Sequence, residues 1–432
     1  MTVSSLRWLS SAACLATFAF PVPAQTPPGT LTTIWNFSLD SSSGESREPE
    51  TGVIVDPNGV LYGTTWGNAN IFSLTPSKTG GPWIFIQLYA FPTIWFGQAG
   101  YSAAPNGLAI DSHGVLYDTN ASGGNLTGPC GITLVGCGSV YLLRPTSQPG
   151  GGWIEKTLYT FTGGDDGASP AAGVTIGPGG VLYGTAELKG AAGLGTAFSL
   201  TPPGAPGGEW VEATLHTFGE GIDGGAPAGA LAIDASGILY GTTKYGGTAN
   251  CGTVFSLTPP ANAGELWTES VLYSFTGEAD GSLPDGGVVL GPGGVLYGST
   301  SFGGAYNGGT VYSLTPPAVS FGAWSEAVLH SFPLGSFPSG PCPGPLTFGP
   351  NGALYGTAYV GGGNREGSVF ALTPPATAGA PWGYVEVYSL DQTTGYNPAI
   401  TAILGVGPGG LIFGTSMRGG TSNEGTVFEL RP

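Results

Sequence analysis

Three carboxylates with the same sequence context are the first candidates for chemistry. Asp166, Asp223 and Asp280 each precede a glycine in three successive repeats of the chain. Carboxylate oxygens are ligands that hard cations such as Ca²⁺ prefer, so these residues could belong to calcium-binding loops. The D-x-D-x-D-G ladder of a calcium loop is absent, and an aspartate before glycine is also typical of a structural turn. We therefore expect no cofactor, and calcium is the one metal the sequence leaves open.

Asp118 is a further candidate because it breaks a repeated motif. The tetrapeptide Leu-Tyr-Gly-Thr recurs along the chain, and Asp118 replaces its glycine in one copy. A carboxylate in such a position could act as a general acid or base. Together with a second carboxylate such as Asp166, with or without calcium, it would form the nucleus of a hydrolase or lyase site.

The histidines argue against catalysis. His216 and His330 occupy a position that other repeats fill with tyrosine, and His113 lies in a turn. General bases are most often histidines, so a histidine-centred triad is not expected. Zinc is not expected either, because the chain has no H-x-x-x-H or C-x-x-C spacing. The sequence therefore favours a protein that is not an enzyme.

Aromatic side chains in loops offer a different chemistry, which is stacking on sugar rings or on a peptide. A long loop, 91–105, carries Trp95, Phe96 and Tyr101. A second set recurs where the B–C loops of the repeats begin: Trp66, Tyr245, Phe302 and Tyr359. Loops on a rigid scaffold often carry function, so these residues and Asp118 are the predicted ligand-binding residues.

The cysteines fit an oxidising compartment. Cys130 and Cys137 lie close together in an enlarged loop, and a local disulfide between them is expected in a secreted chain. Cys251 and Cys342 lie in separate repeats, and the sequence does not decide whether they pair.

Seven repeats must position all these residues. The aromatic residue of the tetrapeptide stands at positions 62, 117, 183, 240, 297, 355 and 413. Each repeat contains four short runs of β-branched and aromatic residues bounded by Gly, Pro, Asn or Asp, which predicts four antiparallel strands. Four strands at this period are typical of a propeller blade. The sequence therefore predicts an all-β, seven-bladed β-propeller.

The two ends of the repeat region indicate how the ring closes. The seventh repeat has its third run at 425–430, and the run that matches a fourth strand lies at 33–39. We expect this N-terminal strand to complete the last blade, because a closed ring leaves no open sheet edge. An open solenoid would need polar caps instead.

These repeats also resemble a known family. They read as G-G-V-L-Y-G-T/S-T, then G-G, then G-T-V-F-S-L-T-P-P, as at 252–260. This pattern resembles the GloVer tandem repeat of bacterial surface and secreted proteins over about residues 33–432. The resemblance implies an extracytoplasmic, propeller-like bacterial protein. Family members often carry a C-terminal anchoring segment, whereas this chain ends directly after a repeat strand, so free secretion is favoured.

Composition and charge restrict the partners. Gly and Pro account for 80 and 37 of the 432 residues, only 9% of residues are charged, and the formal net charge is −17. An acidic surface repels phosphate groups, so nucleic acid and anionic membranes are not expected partners. After the N-terminus no segment approaches the ~18 apolar residues of a membrane span.

The N-terminus is typical of a signal peptide. Arg7 precedes an apolar stretch, and small residues at 22–24 suit cleavage after Ala24. The predicted organisation is a signal peptide at 1–24, a short linker at 25–32 and a single propeller domain at 33–432.

Together these observations predict a secreted, monomeric, non-catalytic propeller. It would bind an extracellular protein or polysaccharide through the loop-rich rim that carries Trp95, Phe96 and Tyr101. The alternative is a hydrolase or lyase with a carboxylate site at the mouth of the central channel.

Overall fold

The computed structural model describes most of the chain. The described residues are 29–38, 48–49, 51–66, 70–91, 107–124, 130, 136–147, 151–205, 207–219, 221–262, 264–319, 322–334, 342–377, 379–399 and 402–432. The predicted signal peptide at 1–24 and the aromatic residues Trp95, Phe96 and Tyr101 lie outside them.

Seven four-stranded antiparallel sheets make up the described part of the chain, which confirms the predicted seven-bladed β-propeller. The strands are β1 (Thr30–Asn36), β2 (Ile54–Val55), β3 (Leu61–Thr65), β4 (Asn70–Thr75), β5 (Ile84–Ala90), β6 (Ala109–Ile110), β7 (Leu116–Asn120), β8 (Ser139–Pro145), β9 (Trp153–Thr160), β10 (Thr175–Ile176), β11 (Leu182–Ala186), β12 (Thr196–Thr201), β13 (Val211–Thr217), β14 (Gly225–Ile233), β15 (Leu239–Tyr245), β16 (Thr253–Thr258), β17 (Thr268–Ser274), β18 (Val288–Leu290), β19 (Leu296–Thr300), β20 (Asn307–Thr315), β21 (Ser325–Pro333), β22 (Thr347–Phe348), β23 (Leu354–Ala358), β24 (Ser368–Thr373), β25 (Gly383–Ser389), β26 (Gly405–Val406), β27 (Ile412–Ser416) and β28 (Thr426–Arg431).

Blades 1 to 6 each consist of four consecutive strands, beginning with β2–β5, and blade 7 consists of β26, β27, β28 and β1. We call the strands of a blade A to D, from the central channel outwards. Among the described residues, no helix has the length and apolar character needed to cross a membrane.

Strand B carries the repeated tetrapeptide and forms the core of each blade. In blade 4 its Leu239 is fully buried. A Cβ on Gly241 would lie 2.6 Å from Cζ of Phe255 in strand C. Glycine is needed there because the Phe255 ring lies directly over strand B, and this contact explains the Gly of the motif.

The tyrosine of the tetrapeptide joins neighbouring blades. Tyr183 of blade 3 packs edge-to-face against Trp267 of blade 4, with ring centroids 6.0 Å apart. The same kind of pair recurs around the ring: Tyr62–Trp153, Tyr117–Trp210, Tyr240–Trp324, Tyr297–Trp382 and Phe413–Trp83. Such pairs contribute about 0.5–1.5 kcal/mol beyond burial, so the repeated tryptophan at the start of strand D is part of the scaffold.

Strand D contains a bulge that the sequence pattern does not reveal. In blade 4 the register passes from Val254↔Tyr273 to Phe255↔Val271, which leaves Leu272 without a partner opposite. The alternation of side chains along β17 therefore changes phase at Leu272, because a bulge inserts one residue into one strand. The same register shift occurs between strands C and D of all seven blades.

The N-terminal strand completes the last blade, as the repeat pattern predicts. Strand β1 pairs antiparallel with β28, and it begins at Thr30, inside the segment predicted to be a linker. Phe37, just after β1, is fully buried and packs edge-to-face against Phe72 and Phe85 of blade 1. The first strand thus links blade 7 to blade 1.

The A strands of adjacent blades meet at the level of the backbone. A Cβ on Gly52 would overlap the carbonyl oxygen of Ile403, and one on Gly173 would overlap that of Gly107. Glycine at these positions lets the inner strands approach closely around the axis. Their close ring encloses the central channel.

Candidate functional site

The central channel has a volume of about 700 Å³ and is lined by all seven blades. Every blade contributes at least one apolar residue to the wall, and these residues include Ile54, Leu108, Val174, Leu231, Val289, Leu346 and Ile403. Among the 25 described residues of the wall, polar side chains are confined to Thr51, Lys244, Tyr245 and Asp285. A largely apolar cavity of this size with a few convergent polar groups is the usual form of a small-molecule site.

The charged side chains of this wall meet at the end of the channel where the D–A and B–C loops open. Lys244 lies near the end of β15, and Asp285 lies in the D–A loop before β18. Lys244 Nζ donates a hydrogen bond to Glu187 Oε1 at 2.8 Å, and Ser301 Oγ donates one to Asp285 Oδ2 at 2.7 Å. These four residues, from three adjacent blades, form what we call the mouth cluster.

Asp285 has the electrostatic setting of an acid–base group. Burial raises the pKa of Asp285, and the nearby Glu187 carboxylate raises this pKa further. The hydrogen bond from Ser301 and the Lys244 ammonium lower the pKa, but burial outweighs them. A cleft carboxyl whose pKa is shifted by burial and by specific charges is a candidate for proton transfer.

Cys342 of blade 6 lies close enough to Asp285 to be influenced by its charge. Burial, followed by the Asp285 carboxylate, raises the pKa of the Cys342 thiol to about 11. A thiol is a nucleophile only as the thiolate, so Cys342 is not suited to that role at neutral pH. Cys251 and Cys342 are both free thiols in the structure.

Asp118 is fully buried inside blade 2. Its Oδ1 accepts hydrogen bonds from the backbone N–H groups of Gly107, at 3.0 Å, and Thr119, at 2.7 Å. Its Oδ2 accepts one from the Tyr141 hydroxyl at 3.1 Å. Tyr141 stands where most blades have phenylalanine. In blade 2, Asp118 and Tyr141 thus replace the glycine and the phenylalanine that most blades have at these two positions. Asp118 is not among the described residues of the channel wall.

Asp118→Gly is expected to lower the free energy of unfolding by about 1–3 kcal/mol, because the Tyr141 hydroxyl would lose this buried partner. Adding Tyr141→Phe restores the residue pair of most other blades and should recover most of that loss. Denaturant unfolding of the single and double variants measures both effects. Equal destabilisation of the two variants would show that the Asp118–Tyr141 pair is not the cause.

The three predicted calcium ligands form hydrogen bonds within their own loops. Asp166 accepts hydrogen bonds from the Thr162 hydroxyl at 2.6 Å and the Tyr159 hydroxyl at 2.9 Å. Asp280 has the equivalent partners, and Asp223 accepts from the backbone N–H of Gly219 and contacts His216 Nε2. No group of three or more metal-ligating side chains converges within the described residues. These contacts do not fit a calcium loop, so the reaction proposed below does not use calcium.

The predicted aromatic residues fall at two different positions of the repeat. Trp66 and Tyr359 directly follow the tetrapeptide's strand, whereas Tyr245 and Phe302 come one residue later in the repeat. Tyr245, 51% exposed, lines the channel, while Trp66, Phe302 and Tyr359 are outside its described wall.

The enlarged loop of blade 2 is cross-linked. A disulfide joins Cys130 and Cys137, whose Cα atoms are 5.2 Å apart, and both residues are fully buried. They pack in a hydrophobic cluster with Phe161 and Ala168. The disulfide therefore anchors this loop to the contact between blades 2 and 3.

A second set of carboxylates, one near the start of strand D in blades 2 to 5, has raised pKa values. Burial raises the pKa of Glu269 and of Glu326 to about 7. Each has a buried Oε1 without a hydrogen-bond partner among the described residues. In Glu155 and Glu212 the same atom accepts a hydrogen bond from a threonine two residues later, a position where blades 4 and 5 have Val271 and Val328.

This difference predicts how stability depends on pH. Between the ordinary glutamate pKa of 4.5 and about 7, the folded protein binds more protons than the unfolded chain at Glu269 and Glu326. Stability should therefore fall as pH rises through this window. Glu269→Gln and Glu326→Gln should each raise the free energy of unfolding by about 1 kcal/mol above pH 7, because partial exposure reduces the full effect.

Thermal unfolding at pH 4 and at pH 8 tests this prediction. Val271→Thr is the matched control, since it supplies the hydroxyl that Glu155 and Glu212 have and should weaken the pH dependence without removing the carboxyl. A wild-type melting temperature that is the same at both pH values, or that rises with pH, would count against it.

The mouth cluster is the part of the site that sequence reasoning missed. Glu187 and Lys244 occupy the same position of two successive repeats, directly after Leu-Tyr-Gly-Thr and one further residue, and carry opposite charges. Asp285 follows Pro284, where two preceding repeats have Ala171 and Ala228. These departures from the repeat are the signal that could have revealed the site.

The chain belongs to a known family. The family model of the Gloeobacter/Verrucomicrobia repeat matches residues 104–334 and 292–432, which is more than half of the chain and agrees with the resemblance of its repeats. A search of the curated proteins finds no match.

Solved structures with a similar fold include a gluconolactonase from Xanthomonas campestris, at 15% identity and TM-score 0.41, covering 78% of this chain and 88% of that one. A candidate 6-phosphogluconolactonase from Bacteroides uniformis has 15% identity and TM-score 0.49, with 85% and 89% coverage. A calcium structure of a carbohydrate-active enzyme of family AA12 from Trichoderma reesei has 12% identity and TM-score 0.41, with 76% and 93% coverage. Identities this low show the fold alone.

The prediction of a non-catalytic binding propeller is wrong by this comparison. The similar propellers include a protein named as a gluconolactonase and candidates for a gluconolactonase and a 6-phosphogluconolactonase, and none of these three is named as a binding protein. The absence of a catalytic histidine does not exclude catalysis, because the ring brings together the charged residues Glu187, Lys244 and Asp285 from three blades.

Proposed function

We propose that this chain is a hydrolase that cleaves a neutral carboxylic ester, open-chain or cyclic, at the mouth of the central channel. One observation carries the proposal: Asp285, whose pKa is raised by burial, lies in the wall of an apolar channel beside the Lys244–Glu187 ion pair. This arrangement supplies a base and a cation at one edge of a cavity large enough for a small molecule.

Each residue has a defined part in the reaction. The Asp285 carboxylate accepts a proton from water while the water oxygen bonds to the acyl carbon. The negative charge that develops on the carbonyl oxygen is stabilised by the Lys244 ammonium, which Glu187 orients. The carbon–oxygen bond to the leaving group then breaks, and protonated Asp285 returns its proton to the alkoxide. One ester and one water give one acid and one alcohol.

Asp285 also needs the support of Ser301. The Ser301 side chain is buried, and its Oγ donates to Asp285 Oδ2, which fixes the orientation of the carboxyl group. The other carboxylate oxygen remains to receive the proton. The net charge of −17 disfavours anionic substrates, so a neutral ester is proposed.

We also propose that the protein acts outside the bacterial cytoplasm. Support comes from the signal-peptide pattern at 1–24 and from the Cys130–Cys137 disulfide, a bond typical of oxidising compartments.

An esterase assay tests the proposal. Purified protein is expected to hydrolyse p-nitrophenyl acetate or δ-valerolactone faster than buffer. Lys244→Met should reduce the rate by about 10²–10³-fold, because it removes the charge that stabilises the developing oxyanion. Lys156→Met, at an exposed lysine of strand β9, is the matched control and should retain the wild-type rate. The absence of turnover with every ester and lactone would refute the proposal.

A further inference from the structure

The wall of the channel changes character below its mouth. Asp285 and Lys244 are at the edge, whereas the described side chains that follow along the inner strands are alanine, valine, leucine and isoleucine, with Ala230 and Ile403 exposed to the cavity. From Asp285 in the D–A loop, the chain of blade 5 passes through Gly286 into β18 and reaches Leu290, which also lines the channel. A largely apolar part of the channel thus extends away from the charged groups.

This separation of polar and apolar surface restricts the substrate. A sugar placed in the lower channel would bury hydroxyl groups against Ile54, Ala232 and Val289, whose side chains offer no hydrogen bonds. A hydrocarbon chain has no hydrogen bonds to lose there, and its burial is favourable because apolar surface is removed from water. The cavity therefore suits a molecule that is apolar along its length and polar at one end.

We infer that the substrate is an amphiphilic acyl ester whose hydrocarbon chain lies in the central channel, with its ester group at the mouth cluster. This inference rests on the proposed function for the hydrolysis of the ester group. The binding of the hydrocarbon chain in the channel does not depend on it. It adds a substrate class: a neutral ester or lactone that carries an unbranched acyl chain, rather than a polyhydroxylated one.

The charges at the mouth favour turnover of such a substrate. Water and the ester give a fatty carboxylate and an alcohol. The two carboxylates Glu187 and Asp285 face a single cation, Lys244, in the cluster, and the protein as a whole is acidic. A carboxylate product is repelled by this field, whereas the neutral ester is not. Release of the product is thereby assisted.

Chain-length dependence tests the inference. Wild-type protein is expected to hydrolyse p-nitrophenyl octanoate with a kcat/KM at least tenfold above that for p-nitrophenyl acetate, because additional methylenes are buried. Ala230→Trp, which places a large ring in the channel, should reduce this ratio to about one. Ala213→Trp, at an exposed position of the outer strand β13, is the matched control and should keep the wild-type ratio.

A binding measurement separates this inference from the proposed function. The neutral fluorophore N-phenyl-1-naphthylamine should show saturable fluorescence with the wild type and with Ala213→Trp, displaceable by dodecan-1-ol, but not with Ala230→Trp. Saturable binding without hydrolysis of any ester would support the channel site and refute the hydrolase. Equal rates for acetate and octanoate, without displaceable binding, would overturn the acyl-chain inference and leave ester hydrolysis intact.

Discussion

Replacement of Asp285 with asparagine is expected to reduce ester hydrolysis by about 10²–10⁴-fold, the range typical of losing a general base. Asparagine has nearly the same shape and its carbonyl oxygen can still accept the hydrogen bond from Ser301. It cannot take a proton from water at neutral pH, so folding and binding should be preserved while the chemical step is lost. Initial rates with p-nitrophenyl acetate measure the effect.

The pH profile gives this prediction a second readout. Asp285 acts as a base only when it is deprotonated, and burial raises its pKa. The rate of the wild type should therefore rise with pH through a pKa above the usual aspartate range, and the residual rate of Asp285→Asn should lack this step. Asp165→Asn, at an exposed carboxylate of another D–A loop, should behave as the wild type. An unchanged rate for Asp285→Asn would remove Asp285 from the mechanism.

Phe37→Ala is expected to lower the free energy of unfolding by about 3–5 kcal/mol, as for other fully buried phenylalanines. Its ring packs against Phe72 and Phe85, so the substitution leaves a cavity between the first strand and blade 1. It should also allow β1 to detach from β28 without unfolding of the rest. Hydrogen exchange of the β1 amides is therefore expected to accelerate more than that of other blades.

Phe275→Ala is the matched control for this second effect. Phe275 is the equivalent residue after strand D of blade 4, is also fully buried, and packs against Tyr312. Its loss should destabilise the protein to a similar extent, but β17 is held by the chain on both sides and should not detach. Similar exchange rates in β1 for both variants would contradict the proposed role of Phe37 in ring closure.

The blades could be predicted because the recurring residue types of the repeat are explained by contacts within a blade or between neighbouring blades. The Gly of the tetrapeptide is needed under the phenylalanine of strand C, as Gly241 is under Phe255, and the cause recurs wherever the motif does. The bulge at Leu272 could not be predicted, because it depends on the register between two strands rather than on the composition of one.

The candidate site could not be predicted in the same way. Glu187, Lys244 and Asp285 are separated by 57 and 41 residues in the sequence and belong to three blades. They meet because the end of strand B in one blade faces the D–A loop of the next, a relation that only the closed ring defines. Asp118 breaks the repeated motif, but it is buried and forms hydrogen bonds to Gly107, Thr119 and Tyr141. It is not among the described residues of the channel wall.

The pairing of β1 with β28 has a consequence for the order of folding. Thr30 pairs with Arg431, so β1 must wait until β28 has been synthesised. Contacts this distant in sequence form slowly, and an unpaired strand is prone to pair with other chains in the meantime. The blades can form in turn as the chain is made, but the ring closes only once β28 is available to pair with β1. Export before folding, as proposed above, would place this closing step outside the cytoplasm.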